Sequence, residues 1–243
     1  MKEYKLYKGK ILIKFDEEDN ENHRFYDEKG NRIPSVTQIT GIIDKSSALM
    51  GWVAKLIGEY LRQEKAKGNN ILTDELIDTA LREYRRVQKE ARDVGKEIHQ
   101  WISDWILGKK PPMPEDLQIV NGITAFLKFQ KENGLKWVDS ERPVYSKKWN
   151  YAGFLDAIAQ KGKDRILIDF KSSNGIYPEM IFQVMGYKIA WEEEMQKKIH
   201  KAMILRFGKE TGEFETRELK IEKEDEKAFL GLLEAAKKLK ELK

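Results

Sequence analysis

The sequence predicts a protein of the α/β (α+β) class, with helices arranged around a central mixed β-sheet. Three observations carry this. Apolar residues recur at helical spacing from about residue 46 to 133, then switch to strict alternation from Lys136 onward. From residue 115 the elements read α-β-β-β-α-β-β-α, which segregates helices from strands. The composition, 40% hydrophobic over 243 residues with only six prolines, suits a globular chain able to bury a real core.

The elements follow in order. Tyr4 to Phe15 alternates apolar and basic residues around Lys8-Gly9-Lys10 and reads as a hairpin. His23 to Tyr26 and Arg32-Ile33, separated by Glu28-Lys29-Gly30-Asn31, read as a second one. Pro34-Ser35-Val36-Thr37 leads into helical sequence. Residues 46–67 put Leu49, Trp52, Val53, Leu56, Ile57 and Tyr60 on one helical face, and Lys67-Gly68-Asn69-Asn70 breaks the pattern. A longer helix starts near Thr73, with Asp74 and Glu75 in its first turn, and runs to Gly108. Its apolar positions are Leu76, Ile77, Leu81, Tyr84, Val87, Ala91, Val94, Ile98, Ile102 and Trp105. Another spans about Glu115 to Asn133, stopped by Gly134. Lys136–Tyr145, Tyr151–Gln160 and Arg165–Lys171 read as three strands. A helix over Pro178–Gln196, strands at Lys201–Phe207 and Glu213–Leu219, and a helix over Glu222–Leu242 complete the chain. The last helix is expected to turn Leu232, Ala235, Ala236, Leu239 and Leu242 inward.

Composition also excludes. With no cysteine there is no disulfide, no thiolate nucleophile, no zinc–thiolate site and no cysteine-ligated iron–sulfur cluster. No apolar run reaches the length of a membrane span and the first residues do not read as a signal peptide, so the expectation is a cytoplasmic protein with no membrane partner. The 45 basic and 41 acidic residues leave a formal charge of +4. A nucleic-acid partner would therefore have to be recognised by local clustering of charge.

Two strands carry acids where strands ordinarily bury apolar groups. In Ile166-Leu167-Ile168-Asp169-Phe170-Lys171, Asp169 and Lys171 share a face with Leu167. In Tyr151 to Ala159, Asp156 interrupts an apolar run. A buried carboxylate costs several kcal/mol unless it is paired or meets a metal. One reading is a structural ion pair of Lys171 with Asp156 or Asp169. The other is a pair of carboxylates holding a hard divalent cation, Mg²⁺ or Mn²⁺, beside a lysine that orients or deprotonates a water. The acids lie 13 residues apart (169 − 156), a separation that sets them level on two antiparallel strands joined by a short turn.

Gly153-Phe154-Leu155-Asp156, then Asp169-Phe170-Lys171-Ser172-Ser173, then Gln183-Val184-Met185-Gly186-Tyr187 resemble the Gly-x-x-Asp, Asp-x-Lys-Thr/Ser and Gln-x-x-x-Tyr motifs of the PD-(D/E)xK nuclease superfamily, RecB-like exonuclease branch. Upstream, Pro34-Ser35-Val36-Thr37, Trp52 and Val94-Gly95-Lys96-Glu97-Ile98-His99 are similar to the opening motifs of phage and mitochondrial genome-maintenance exonucleases. The resemblance spans about residues 34–190. It implies a restriction-endonuclease-like core in a single nuclease domain, with N-terminal hairpins (1–45), a helical arch or clamp (46–133), a catalytic core (134–220) and a C-terminal helix (221–243).

The resemblance also implies roles. Asp156, Asp169, the main-chain carbonyl of Phe170 and His99 would ligate one or two Mg²⁺ or Mn²⁺ ions. Lys171 would position the attacking water, and Gln183 would support the site. Glu141 is either a further ligand or an exposed strand acid. Gln183 and Tyr187, four apart, share a helical face and either contact substrate or serve as a cap contact and a core tyrosine. Ser172 follows the lysine as a candidate DNA contact. The four-cysteine iron–sulfur clasp of some RecB-like relatives cannot form here.

The residues themselves add a basic stripe. Arg85, Lys89, Arg92, Lys96 and His99 are spaced 4, 3, 4 and 3 apart, hence along one helical line, and read as a phosphate track toward His99 or as a solvated face with local ion pairs. His23 and His200 have no such partners and read as ordinary residues. Among six tryptophans, Trp149 in the turn with Lys147 and Lys148 is singled out as a stacking or strand-separating contact, with Lys148 beside it for phosphate. Ser35 and Thr37 either touch a phosphate or cap the helix that follows. The expected function is a metal-dependent deoxyribonuclease. It would be an exonuclease on single-stranded DNA or DNA ends, in replication, repair or recombination. The alternatives are a structure-specific endonuclease and a catalytically inactive DNA-binding module.

Overall fold

The computed structural model describes residues 1–16 and 24–241. Two compact units divide the chain: Met1–Ile42 with Ile98–Lys243, and Ile43–Glu97. The fold is mixed α/β, as the periodicity predicts. No helix among the described residues is long and apolar enough to cross a membrane.

The first unit begins with β1 (Lys2–Leu6), β2 (Ile11–Asp16), β3 (Arg24–Tyr26) and β4 (Arg32–Ile33). The two expected hairpins join through β2 and β3 into one antiparallel sheet. That pairing lies outside what turn chemistry can reveal. Its apolar face gathers Leu6, Ile13, Phe15, Phe25 and Ile33 against Ala152. Phe154 sits edge-on to Tyr4 and Phe15 and tilted on Phe25. The small sheet thereby grips the strand that carries Asp156. The expectation that residue 23 opens the second hairpin, with His23 an ordinary residue, lies outside the described residues.

The central sheet has the order β5 (Lys136–Ser146), β6 (Tyr151–Lys161), β7 (Asp164–Lys171), β8 (Lys201–Phe207), β9 (Phe214–Leu219). All neighbours are antiparallel except β7 and β8, which run parallel and are joined through helix α5 (Pro178–Met195). A parallel pair needs such a crossover. One face packs on α5, on the short α1 (Val36–Thr40) and on α6 (Lys223–Glu241), with Leu155, Leu167, Val184, Tyr187, Ile204 and Phe229 in the shared core. The other face meets α4 (Leu117–Asn133), whose Phe126 packs on Phe170 and Phe207 and whose Phe129 packs on Phe214. As expected, α4 ends at Gly134, which takes the left-handed conformation at φ 56° that glycine tolerates best.

The C-terminal helix corrects one expectation. Leu232 and Ala236 pack partly buried against the core as expected, but Phe229 and Leu233 are the buried residues and Ala235 and Leu239 are exposed. The aromatic ring at 229 seats on Gly186 of α5, and Lys188 of α5 reaches Glu226 at 2.6 Å. These two contacts set the rotation of α6. Leu242 lies outside the described residues.

The second unit consists of α2 (Ser46–Ala66) and the part of α3 (Asp74–Ile106) up to Glu97. None of α2's residues is fully buried; Trp52, Val53, Leu56, Ile57 and Tyr60 are partly covered, but Leu49 is exposed. On α3, Ala80 is buried while Ile77, Leu81 and Ala91 are exposed, against the expected apolar face. Two helices joined by a short turn can each shield only a narrow stripe.

Candidate functional site

The site grows from a fork in the central sheet. Pairing between β6 and β7 runs from Lys161↔Asp164 to Ala157↔Ile168 and stops. The next rung would set Asp156 against Asp169. On the other side, β5 and β6 pair at Ser140↔Ala157 and again at Arg142↔Leu155, but the rung between, Glu141 with Asp156, is missing from the ladder. Glu141 takes a positive φ of 48°, an uncommon conformation for a non-glycine residue that re-aims its side chain. A β-bulge between Trp137 and Asp139 lies just upstream. The sheet therefore opens where three acids meet.

His99 arrives from α3. Ile98 before it is fully buried, and its methyl end occupies the space where a Cβ on Gly122 of α4 would stand, at 2.4 Å. That close approach brings the imidazole over Phe170, edge to face at 5.8 Å. Its Nδ1 lies 3.5 Å from Asp156 Oδ1 and 3.9 Å from Glu141 Oε1. His99, Glu141 and Asp156 each offer a ligand atom within 4.8 Å of the others, a set able to hold a metal ion. Asp169 stands outside that set and makes an ion pair with Lys171. One of the two readings of Lys171 thus has its counterpart in the structure. Even so, no hydrogen bond of good geometry reaches either buried carboxylate oxygen of Asp169. Asp156 Oδ2 accepts the backbone N–H of Phe170 at 2.6 Å, so Phe170 touches this acid through its nitrogen.

The electrostatics follow from burying these groups together. Burial pushes Glu141 up to about 7, reinforced by the Asp156 charge and opposed by His99. Burial likewise pushes Asp169 up to about 6, against the pull of Lys171 and with the push of Asp156. For Asp156, burial acts upward, but His99, Lys171 and the Phe170 N–H prevail and hold it below its ordinary value. Burial would lower His99 and Lys171. The carboxylates outweigh it in both cases, Asp156 and Glu141 for His99 and Asp169 and Asp156 for Lys171, so both sit above their usual values.

Around this centre the other candidates fall as follows. Gln183 donates from Nε2 to the Tyr187 hydroxyl at 2.9 Å, and Tyr187 is buried. The Tyr187 ring lies against Gly153, where a Cβ would come within 2.7 Å of it, so the glycine of the first motif and the tyrosine of the third are packing partners. Ser35 is buried and caps α1, accepting the Gln38 N–H at 3.1 Å while the Gln38 side chain accepts the Ser35 N–H. Thr37 is exposed, its hydroxyl 3.0 Å from that of Ser35. Trp149 is partly buried against the α5–α6 core, and the Lys148 ammonium lies over its ring at 4.8 Å. Ser172 lines a cleft beyond Lys171. Arg85, Lys89, Arg92 and Lys96 are exposed on α3 in the second unit, with Lys89 paired to Asp93 at 2.9 Å. His200 accepts the Arg165 N–H at 2.9 Å, a structural contact.

Two neighbours of Lys171 escaped the sequence reading. Glu179, in the first turn of α5, adds to the field that raises the lysine. Arg206 stands beside it across the parallel β7–β8 pair. Only strand order, which has no local signal, could have found Arg206. For Glu179, an acid just after the helix-starting Pro178 was a usable hint.

No protein-family model matches the chain, and no curated protein matches it significantly. Solved structures do. The alkaline exonuclease LHK-Exo of Laribacter hongkongensis is 13% identical at a TM-score of 0.39, over 85% of this chain and 91% of that one. LHK-Exo in complex with dAMP gives 12% and 0.41, over 86% and 92%. A candidate exonuclease of Eubacterium rectale gives 10% and 0.44, over 84% and 77%.

Proposed function

We propose that this chain is a metal-dependent deoxyribonuclease that hydrolyses DNA phosphodiester bonds, acting as an exonuclease on single strands or DNA ends. One observation carries the reading: His99, Glu141 and Asp156 converge within 4.8 Å at a sheet fork that also buries Asp169 and Lys171. The donor set fits a hard divalent cation. His99, Glu141 and Asp156 offer two carboxylates and one imidazole, and Asp169, buried beside them in its ion pair with Lys171, supplies a third carboxylate. Asp156, Asp169, Glu141 and His99 would hold Mg²⁺ or Mn²⁺, with the Phe170 carbonyl as a further ligand. Bound there, the cation supplies positive charge to the phosphoryl oxygens and acidifies a water.

The chain's own groups do the rest. Asp169 and Asp156 beside Lys171 favour its charged form, and from there it orients the attacking water and meets a phosphoryl oxygen. Asp169 keeps the ammonium in place. Tyr187, held by Gln183, packs its ring on Gly153 and so seats the helix that backs the site. The exposed cations Arg92 and Lys96, with Arg85 and Lys89, contribute phosphate contacts, and Lys148 and Ser172 add others.

The test is a digest of end-labelled single- and double-stranded DNA with Mg²⁺ and with Mn²⁺, labelled at either end. Cation-dependent release of nucleotides is expected, with loss of cleavage but not of DNA binding in Lys171→Ala and Asp169→Ala. Full activity in either variant would sink the assignment. The Asp169–Lys171 ion pair favours one rival, an inactive DNA-binding module. That rival predicts no cleavage by the wild type and no rise in melting temperature with Mn²⁺. Cutting of circular single-stranded DNA would instead mark an endonuclease.

A further inference from the structure

Beyond Lys171 the chain forms a cleft. It holds about 200 Å³ and lies between the 172–174 segment and the β8–β9 hairpin, Gly208 to Glu213. Ser172 and Arg206 bring it directly against the candidate site, because Arg206 pairs with Lys171 across neighbouring strands. We propose that this cleft receives the nucleobase of the nucleotide next to the reacting phosphate. The inference rests on the nuclease reading and extends it to a specificity-determining contact.

Size, charge and available groups all point to a base. Pockets for drug-sized ligands run roughly 300–1,000 Å³, so this one suits a single flat heterocycle. Its charges nearly cancel: Arg206 pairs with Glu215 at 2.7 Å, Glu213 pairs with Lys128, and the lining holds one further cation, Lys209, and one further anion, Glu210, not paired to each other. A phosphate subsite would carry a clear positive excess. Unspent polar groups remain. Among the described residues, the Ser172 hydroxyl, the Asn174 amide and the Lys209 ammonium have no hydrogen-bond or ion-pair partner. Amide and hydroxyl together offer donors and acceptors, the mixture a base edge presents. Phe214 contributes an apolar wall, itself packed edge-on against Phe129 at 5.5 Å.

The cleft is also held rigidly. Asn121 of α4 donates to the Lys209 carbonyl at 2.8 Å, and Gln118 donates to Glu210 at 2.7 Å. A Cβ at Gly208 would stand 2.4 Å from the Thr211 hydroxyl, so the hairpin closes tightly around that glycine. A preformed slot loses little conformational freedom on binding.

The test uses the full chain and single-stranded oligonucleotides bearing 5-iodouracil at successive positions, irradiated in EDTA so that no cleavage consumes the probe. Crosslinks are expected in peptides containing residues 172–174 or 206–214, weakened about tenfold in an Asn174→Ala/Lys209→Ala variant that melts like the wild type, the loss of one to two hydrogen bonds. In parallel, an abasic nucleotide beside the scissile bond should slow cation-dependent cleavage about tenfold in the wild type and leave the variant's rate unchanged. Crosslinks confined to other peptides, or equal cleavage of abasic and normal substrates, overturn this inference while the nuclease reading stands. Crosslinks in the cleft without any cleavage overturn the nuclease reading and leave a nucleobase site.

Discussion

Gly153 links the acid-bearing strand to the helix behind it, and Gly153→Ala measures that link. A Cβ there would lie 2.7 Å from Cε1 and 3.3 Å from Cδ1 of Tyr187, and 3.2 Å from Cγ2 of Val36. Carbon–carbon contacts favour roughly 3.5–4.0 Å, so the ring must retreat by about 1 Å. Tyr187 is buried and bonded to Gln183, which leaves it nowhere cheap to go. Overpacking of this kind costs roughly 1–3 kcal/mol. Removing glycine's freedom from the unfolded chain offsets about 0.4–1 kcal/mol of that. A net loss of about 1–2 kcal/mol follows. At about 2–4 °C per kcal/mol for a chain of this size, the melting temperature should fall by about 2–8 °C. The assay is thermal and urea unfolding, without added cation, of the wild type, Gly153→Ala, Tyr187→Ala and the double variant. Tyr187→Ala alone should cost about 3–5 kcal/mol, as large aromatic truncations do. In its background the alanine at 153 should cost much less, because the ring it strikes is gone and only the milder contact with Cγ2 of Val36 remains. The same penalty in both backgrounds would refute the packing argument.

The pH dependence of stability has a defined sign. Glu141 and Asp169 bind protons more tightly folded than unfolded, so their contribution is favourable at low pH and lost as pH rises through about 6 to 7. His99, raised as well, acts in the same direction, while Asp156, lowered, loses its contribution on acidification. The cation-free protein should melt lower at pH 8 than at pH 5.5, Mn²⁺ should raise the melting temperature more at pH 8, and Glu141→Gln should flatten the dependence; a curve rising toward pH 8 would contradict the assignment. Ser35→Ala, which removes the α1 cap, should cost about 0.5–2 kcal/mol in urea unfolding, with little effect on DNA affinity. If the α3 stripe meets phosphates, Arg92→Gln with Lys96→Gln should shrink the slope of log affinity against log salt by about 1.4 to 1.8 in anisotropy titrations; an unchanged slope would mark a solvated face.

The central strands could be read because their alternation is local, and the departures from it stood out. Asp156 and Asp169 interrupt apolar runs, and their 13-residue separation places them one step past Ala157↔Ile168, the last rung of the antiparallel ladder, where the pairing stops. The rotation of α6 could not be read that way. Several apolar faces are available on an amphipathic helix, and the choice fell to the Phe229 ring finding Gly186. Ser35 was equally ambiguous in sequence, since a capping serine and a phosphate-binding serine look alike; its burial and its bonds to Gln38 distinguish them.

What the sequence by itself determined are the elements, the fold class and the acid and lysine positions, because each depends on a repeat only a few residues long. Tertiary structure alone decided that β6 parts from both neighbours at Asp156, that Glu141 turns into the gap, and that Lys171 leans on Asp169. It also decided that the 172–174 segment and the β8–β9 hairpin enclose a cleft. His99, Glu141 and Asp156 come from three different elements, and Arg206 reaches Lys171 only through a parallel pairing. Such meetings depend on how the sheet closes over its helices, and chain separation carries no record of that.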